Sequence, residues 1–91
     1  MKFEELTFRE QIWYRELWTT ERSNYLLLRA RFGYSVYHWP RRSMRIIEDD
    51  EIKAYVTQQM LAAGVPVLDT IPAVWPPEKP DSAAPNGMRS G

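Results

Sequence analysis

The chain has no cysteine and only one histidine among its 91 residues. A disulfide and a thiolate-ligated zinc are therefore excluded, and His38 has no second imidazole with which to hold a transition metal. No apolar run is long enough to cross a bilayer, and the N-terminal MKFEELTFRE lacks the apolar core of a secretory signal. We therefore expect a cytoplasmic protein with no membrane contact.

Motifs for catalysis and for cofactors are also missing. The four glycines stand far apart, none in a phosphate-binding loop, and no serine or cysteine nucleophile motif accompanies His38. The acidic run Glu48–Glu51 lacks calcium-loop spacing, and capping of a following helix explains it without a cation. The same run could also contact the arginines. We expect no enzyme activity, no cofactor and no metal.

What the sequence does contain is a segment rich in arginine and aromatic residues, 29–45, which reads RARFGYSVYHWPRRSMR. Arginine forks bind carboxylates and phosphates, and protein interfaces are enriched in arginine and aromatic side chains. The segment belongs to a basic half: residues 1–47 carry nine Lys and Arg against five Asp and Glu, and residues 48–91 carry three against seven. The predicted partner-binding residues are Arg31, Tyr34, Tyr37, Trp39, Arg41, Arg42 and Arg45, together with Val74 and Trp75.

Three interpretations fit this segment. It binds an acidic protein surface, it binds nucleic acid through phosphate contacts and base stacking, or its aromatics are simply core. The net charge of zero disfavours a dedicated nucleic-acid module, which is usually strongly basic. We therefore predict a non-enzymatic accessory subunit, adaptor or inhibitor that contacts a larger protein. A small nucleic-acid-binding regulator is the alternative, and self-association is left open.

The N-terminal half predicts helix. Thr7 and Glu10 have the spacing of a capping box, so a helix should begin there. Aromatic and leucine side chains then recur at helical spacing up to Gly33, a natural stop. The pattern predicts either one helix over about 8–32 or a helical hairpin whose second helix is capped by Thr19 or Thr20. The residues of this stripe are Tyr14, Trp18, Tyr25, Leu28 and Phe32.

The rest of the chain predicts an α+β fold. Strand formers at 34–39 and 43–47 flank the turn Pro40–Arg42 and predict a short β-hairpin. Asp49 or Asp50 should cap an amphipathic helix that buries Ile52, Val56, Met60 and Ala63 and ends at Gly64. A further strand over 65–71 should lie at a sheet edge, because Pro66 has no amide proton to donate to a neighbouring strand.

The domain division follows from the prolines. Residues 1–71 should form one small globular domain, and residues 72–91, which hold five prolines, an extended tail. Val74 and Trp75 are too apolar for a solvated linker. We expect them to dock on the domain or on a partner, with the chain beyond about Lys79 remaining mobile.

Overall fold

The structure, a computed structural model, describes residues 1–75, which form two α-helices and a four-stranded sheet. Helix α1 spans Phe8–Glu16 and helix α2 spans Asp50–Ala62. The strands are β1 (Tyr25–Arg29), β2 (Tyr34–His38), β3 (Ser43–Arg45) and β4 (Val67–Leu68). Short 3-10 turns cover Phe3–Glu5 and Arg22–Asn24. The described residues therefore have the predicted α+β class.

The strands lie in the order β3-β2-β1-β4. β1, β2 and β3 form an antiparallel meander, and β4 pairs parallel to β1. Since successive side chains alternate between the two faces of a sheet, each strand contributes to both. The helical face carries Leu27 and Val36, which pack with Ile52, Val56 and Met60 of α2 in the main core. The other face, called here the outer face, carries a second apolar cluster around Leu26, Leu28 and Tyr37.

The predicted hairpin, amphipathic helix and edge strand are confirmed, except that Ala63, predicted to belong to the buried stripe, follows the helix and is half-buried. Asp49 caps α2 by accepting the Ile52 amide at 3.0 Å, and this hydrogen bond lowers the pKa of Asp49. Gly64 follows the helix at φ +87°, a conformation that glycine adopts without a steric penalty. The edge strand is shorter than expected, because only Val67 and Leu68 pair with β1.

The prediction of helix beyond Trp18 is wrong. α1 ends at Glu16, and residues 25–29 form the strand β1, at the centre of the sheet. The Thr19 hydroxyl donates to the Arg15 carbonyl at 2.8 Å, so it closes the first helix instead of starting a second. A strand buried on both faces reads as a continuous apolar run, and the run from Tyr25 to Leu28 is buried throughout. Phe32, assigned to the helical stripe, is 85% exposed in the β1–β2 turn.

The first residues of the predicted tail return to the sheet. Trp75 packs against the outer-face cluster, whereas Val74 is exposed. The remainder of the tail, with the mobility predicted beyond Lys79, lies outside the described residues.

Candidate functional site

The hairpin of β2 and β3 divides the predicted partner-binding residues between the two faces of the sheet. β2 starts at Tyr34 and β3 ends at Arg45, and the register pairs His38 with Ser43 and Val36 with Arg45. Tyr34 and Arg45 thus belong to the helical face, where Tyr34 packs against the main core. Tyr37 lies on the outer face. Sequence proximity alone had grouped residues that the pleat separates.

On the helical face the hairpin forms a basic cleft with a volume of about 390 Å³. Tyr25, His38 and Ser43 lie in one row across β1, β2 and β3. Arg45 comes from the next row, and Arg41 from the turn. This hairpin cleft is lined by Glu21, Tyr25, His38, Arg41, Ser43, Met44 and Arg45. Two arginines, a histidine and two hydroxyl-bearing side chains therefore converge, a set of donors suited to anionic oxygens.

Arg45 is held in the cleft by aromatic residues. Its Nη1 donates to the Tyr25 hydroxyl at 3.4 Å, and its guanidinium carbon lies 5.8 Å from the centre of the Tyr14 ring. These contacts engage one donor and one face of a group that carries five donors. The rings restrict the side chain without neutralising its charge. The Arg45 guanidinium therefore keeps its charge and most of its donors at the cleft.

His38 is a neutral hydrogen-bonding residue in this environment. Burial, and next the nearby Arg41 charge, lower its pKa below the ordinary value of 6.5. Its Nδ1 accepts the Arg41 backbone amide at 3.2 Å, so the proton of the neutral ring resides on Nε2. An imidazole in this tautomer cannot take a proton at Nε2, nor at Nδ1 while that bond persists. The neighbouring Ser43 hydroxyl therefore has no general base in His38.

The outer face carries three aromatic residues of the predicted partner-binding set, Tyr37, Trp39 and Trp75. Trp75 stacks on Trp39 with ring centroids 5.6 Å apart and an 18° interplanar angle. Arg42 places its guanidinium carbon 4.6 Å from the centre of the Trp39 ring. Tyr37 meets Trp39 edge-on at 6.5 Å. The Trp39 ring is thus covered by Trp75 and Arg42. Val74 is exposed.

Arg31 is remote from both parts of the hairpin site. It lies in the β1–β2 turn, at the opposite end of β2 from Arg41, and its guanidinium is 5.7 Å from the Phe32 ring centre. The structure therefore brings Arg41 and Arg45 together in the cleft and sets Arg42, Tyr37, Trp39 and Trp75 on the outer face. Arg31, Tyr34 and Val74 join neither group.

Ion pairs within the described residues do not involve the hairpin. The N-terminal ammonium pairs with Asp49 and Glu51, and Arg29 pairs with Asp69. Over residues 1–75, no carboxylate lies within ion-pair distance of Arg41, Arg42 or Arg45. Glu21, which lines the cleft, accepts a hydrogen bond from Asn24 at 2.9 Å. The hairpin arginines consequently have no ion-pair partner in the part of the chain that the structure describes.

Sequence reasoning missed two features of the structure. Glu21 and Ser43 line the cleft, and the register of the hairpin would have identified Ser43 as the cross-strand neighbour of His38. The second feature is α1, none of whose residues is buried. Phe8 is 76% exposed and Trp13 52% exposed. The spacing of Phe8 and Ile12, four residues apart on a capped helix, was the available signal.

A metal-ligand cluster and a membrane-spanning helix are both absent from the described residues. Residues 1–75 contain no cluster of three His, Asp or Glu side chains that could hold a metal ion. No helix in this range is long and apolar enough to cross a membrane. Comparison of the chain with protein-family models, curated proteins and solved structures finds no match.

Proposed function

We propose that this chain is a non-enzymatic binding protein, an accessory subunit, adaptor or inhibitor that contacts an acidic surface of a larger protein through the hairpin. One observation carries the proposal. Arg42 and Arg45 are held against aromatic rings, and neither they nor Arg41 meets a carboxylate within residues 1–75. Arginines held in place without an ionic partner are suited to a charged partner, since less side-chain freedom is lost on binding.

Exposed apolar side chains beside these arginines support a protein as the partner. Met44 on β3 is 45% exposed and Ile46, which follows the strand, is 70% exposed. Arginine guanidinium groups next to exposed aliphatic side chains are typical of the mixed polar and apolar surface of a protein interface. A nucleic-acid groove would instead combine basic residues with accessible aromatic faces for stacking. Trp39 and Trp75 are already stacked on each other.

The tautomer of His38 supports a function without catalysis. The cleft contains a hydroxyl, an imidazole and a carboxylate, from Ser43, His38 and Glu21. In a Ser–His–acid triad, the carboxylate accepts a hydrogen bond from one imidazole N–H, while the other imidazole nitrogen accepts the serine proton. His38 Nδ1 instead accepts the Arg41 amide, and the Glu21 carboxylate accepts from Asn24. The three groups therefore lack the hydrogen bonds that a triad requires.

The test is affinity purification of the full chain with mass spectrometry, with and without nuclease. We expect one stoichiometric protein that survives nuclease and is lost when Arg41, Arg42 and Arg45 are all changed to alanine. The matched control changes Lys2, Arg9 and Arg29 to alanine, which removes equal charge from other parts of the chain and should retain the partner. Recovery that nuclease abolishes would instead support nucleic-acid binding. Equal capture of the partner by the two triple variants would show that the hairpin arginines are not needed for binding.

A further inference from the structure

Within residues 1–75, the outer edge of β3 pairs with no other strand. In the described residues the strand order is β3-β2-β1-β4, so β2 is the only neighbour of β3. An unpaired edge presents backbone donors and acceptors that can pair with another chain. The edge is short, because β3 spans three residues.

The hydrogen-bond pattern shows which peptide group faces outward. The Trp39 amide donates to the Asn24 carbonyl at 2.9 Å, next to β1. In an antiparallel sheet, successive residues direct their peptide groups alternately to the two neighbouring strands. Val36 and His38, which alternate with Trp39, therefore direct their peptide groups toward β3.

The same alternation continues into β3. Arg45 and Ser43 lie opposite Val36 and His38, so their peptide groups pair with β2. Met44, between them, presents its amide and its carbonyl to the free edge. Its side chain lies on the outer face, since it pairs with Tyr37, whereas Arg45 is turned to the hairpin cleft.

From this edge and the adjoining cleft, we propose that an extended acidic segment of the partner protein adds to the sheet as a strand beside β3. The inference rests on the proposed function and specifies its mode. An antiparallel segment opposite Met44 would exchange backbone hydrogen bonds with that residue. Its alternate side chains would fall on opposite faces: acidic ones toward Arg41 and Arg45 in the cleft, and apolar ones against Met44 and Ile46.

Charge selects this occupant over a second copy of the chain. Self-pairing through β3 would bring two sets of Arg41, Arg42 and Arg45 together, and like charges placed close across strands are destabilising. An acidic segment would neutralise the same arginines. The segment should therefore alternate acidic and apolar residues.

The first experiment uses a fluorescently labelled peptide of about seven residues in which valine and glutamate alternate. Its control has the same composition, with the valines and the glutamates in separate blocks. We expect the alternating peptide to bind the full chain, and the block isomer to bind about tenfold more weakly or less, because its register places wrong side chains on both faces. Equal binding, or no binding of the alternating peptide up to about 1 mM, would overturn the inference.

Backbone pairing is tested on the unaltered protein with two N-methylated peptides. Directly opposite residues share a face, so the valine opposite Met44 is the residue that exchanges hydrogen bonds with it. Methylating the valine amides should weaken binding about tenfold, and methylating the glutamate amides should change it by less than about threefold. Equal effects would contradict strand addition.

A protein variant gives the complementary test. Met44→Pro removes an amide that the domain itself does not use, at an edge position where proline is tolerated. Met44→Ala removes the same side chain and keeps the amide. Both variants lose the apolar contact of the Met44 side chain, so we expect the proline variant to bind about tenfold more weakly than the alanine variant, with circular dichroism confirming that both fold. Equal affinities would overturn strand addition. If the proline variant still captures the partner protein and the triple arginine variant does not, strand addition is wrong and the proposed function remains valid.

Discussion

At the scale of single residues, the hairpin holds charge through backbone geometry and aromatic contacts. Arg42 has φ +52°, a left-handed conformation that is rare for residues other than glycine. Its amide donates to the Trp39 carbonyl at 3.0 Å, which closes the turn. The sequence predicted a turn over Pro40–Arg42 and the chemistry of its arginines. The sequence could not predict on which face of the sheet each arginine lies, because that depends on the register between β2 and β3.

Replacement of Arg42 isolates the backbone contribution. Arg42→Ala and Arg42→Gly both lose the contact with Trp39, but only glycine adopts a positive φ without steric conflict. The glycine variant should therefore unfold with a free energy about 1 kcal/mol higher than the alanine variant. Urea denaturation of the two variants measures the difference. A less stable glycine variant would mean that the turn is not under this strain.

His38 should make stability depend on pH. Because its folded-state pKa is lowered from 6.5, the unfolded chain binds more protons in the range just below 6.5. The contribution of His38 to the free energy of unfolding is complete above pH 6.5 and decreases as the pH falls below that value. Between about pH 7 and pH 5, wild type should therefore lose more unfolding free energy than His38→Asn, whose side-chain oxygen can still accept the Arg41 amide. Identical losses in urea titrations at the two pH values would argue against the lowered pKa.

At the scale of elements, local signals predicted correctly where they were specific. Asp49 before an apolar stripe and Gly64 after it predicted α2, and the turn residues predicted the hairpin. The error lay in β1, where Tyr25, Leu28 and Phe32 happen to continue a helical spacing from α1. Pairing with β2 and β4 decides the structure of that segment, and such long-range contacts override weak local propensity. The continuous apolar run Tyr25–Leu28 was therefore a better indicator of a buried strand than the helical spacing was of a helix.

Helix α2 provides a direct stability test. Val56 is fully buried in the main core. Val56→Asp places an unpaired charge there, which costs several kcal/mol and is comparable to the total stability of a small domain. We expect loss of cooperative thermal unfolding. Gln58→Ala, on the exposed side of the same helix, should melt like wild type. A normal transition for Val56→Asp would show that this stripe is not core.

At the scale of the whole molecule, the sheet separates two surfaces with different roles. The helical face has the main core and, at its margin, the basic cleft. The outer face is covered in part by Trp75, which stacks on Trp39. The sequence indicated an apolar anchor in the tail. It could not predict where Trp75 docks, because the outer face of the sheet forms only when the strands pair.

The seat of Trp75 can be tested by NMR relaxation. Docking on Trp39 predicts a backbone order parameter near 0.85 at Trp75 in the free protein. Trp75→Ala should also expose Trp39 and shift the tryptophan emission to longer wavelength, whereas Val74→Ala should not, because Val74 is already exposed. An order parameter below about 0.6 at Trp75 would contradict the docked arrangement.

The most direct test of the central claim, that the hairpin cleft is the recognition surface, compares two double variants in the capture experiment. Arg41→Ala with Arg45→Ala empties the cleft of its arginines. Arg29→Ala with Arg31→Ala removes equal charge from the same segment but from outside the hairpin. The account predicts that the first variant loses the partner, with at least about a tenfold fall in affinity, and that the second retains it. Loss of the partner by the second variant alone, or equal retention by both, would contradict it.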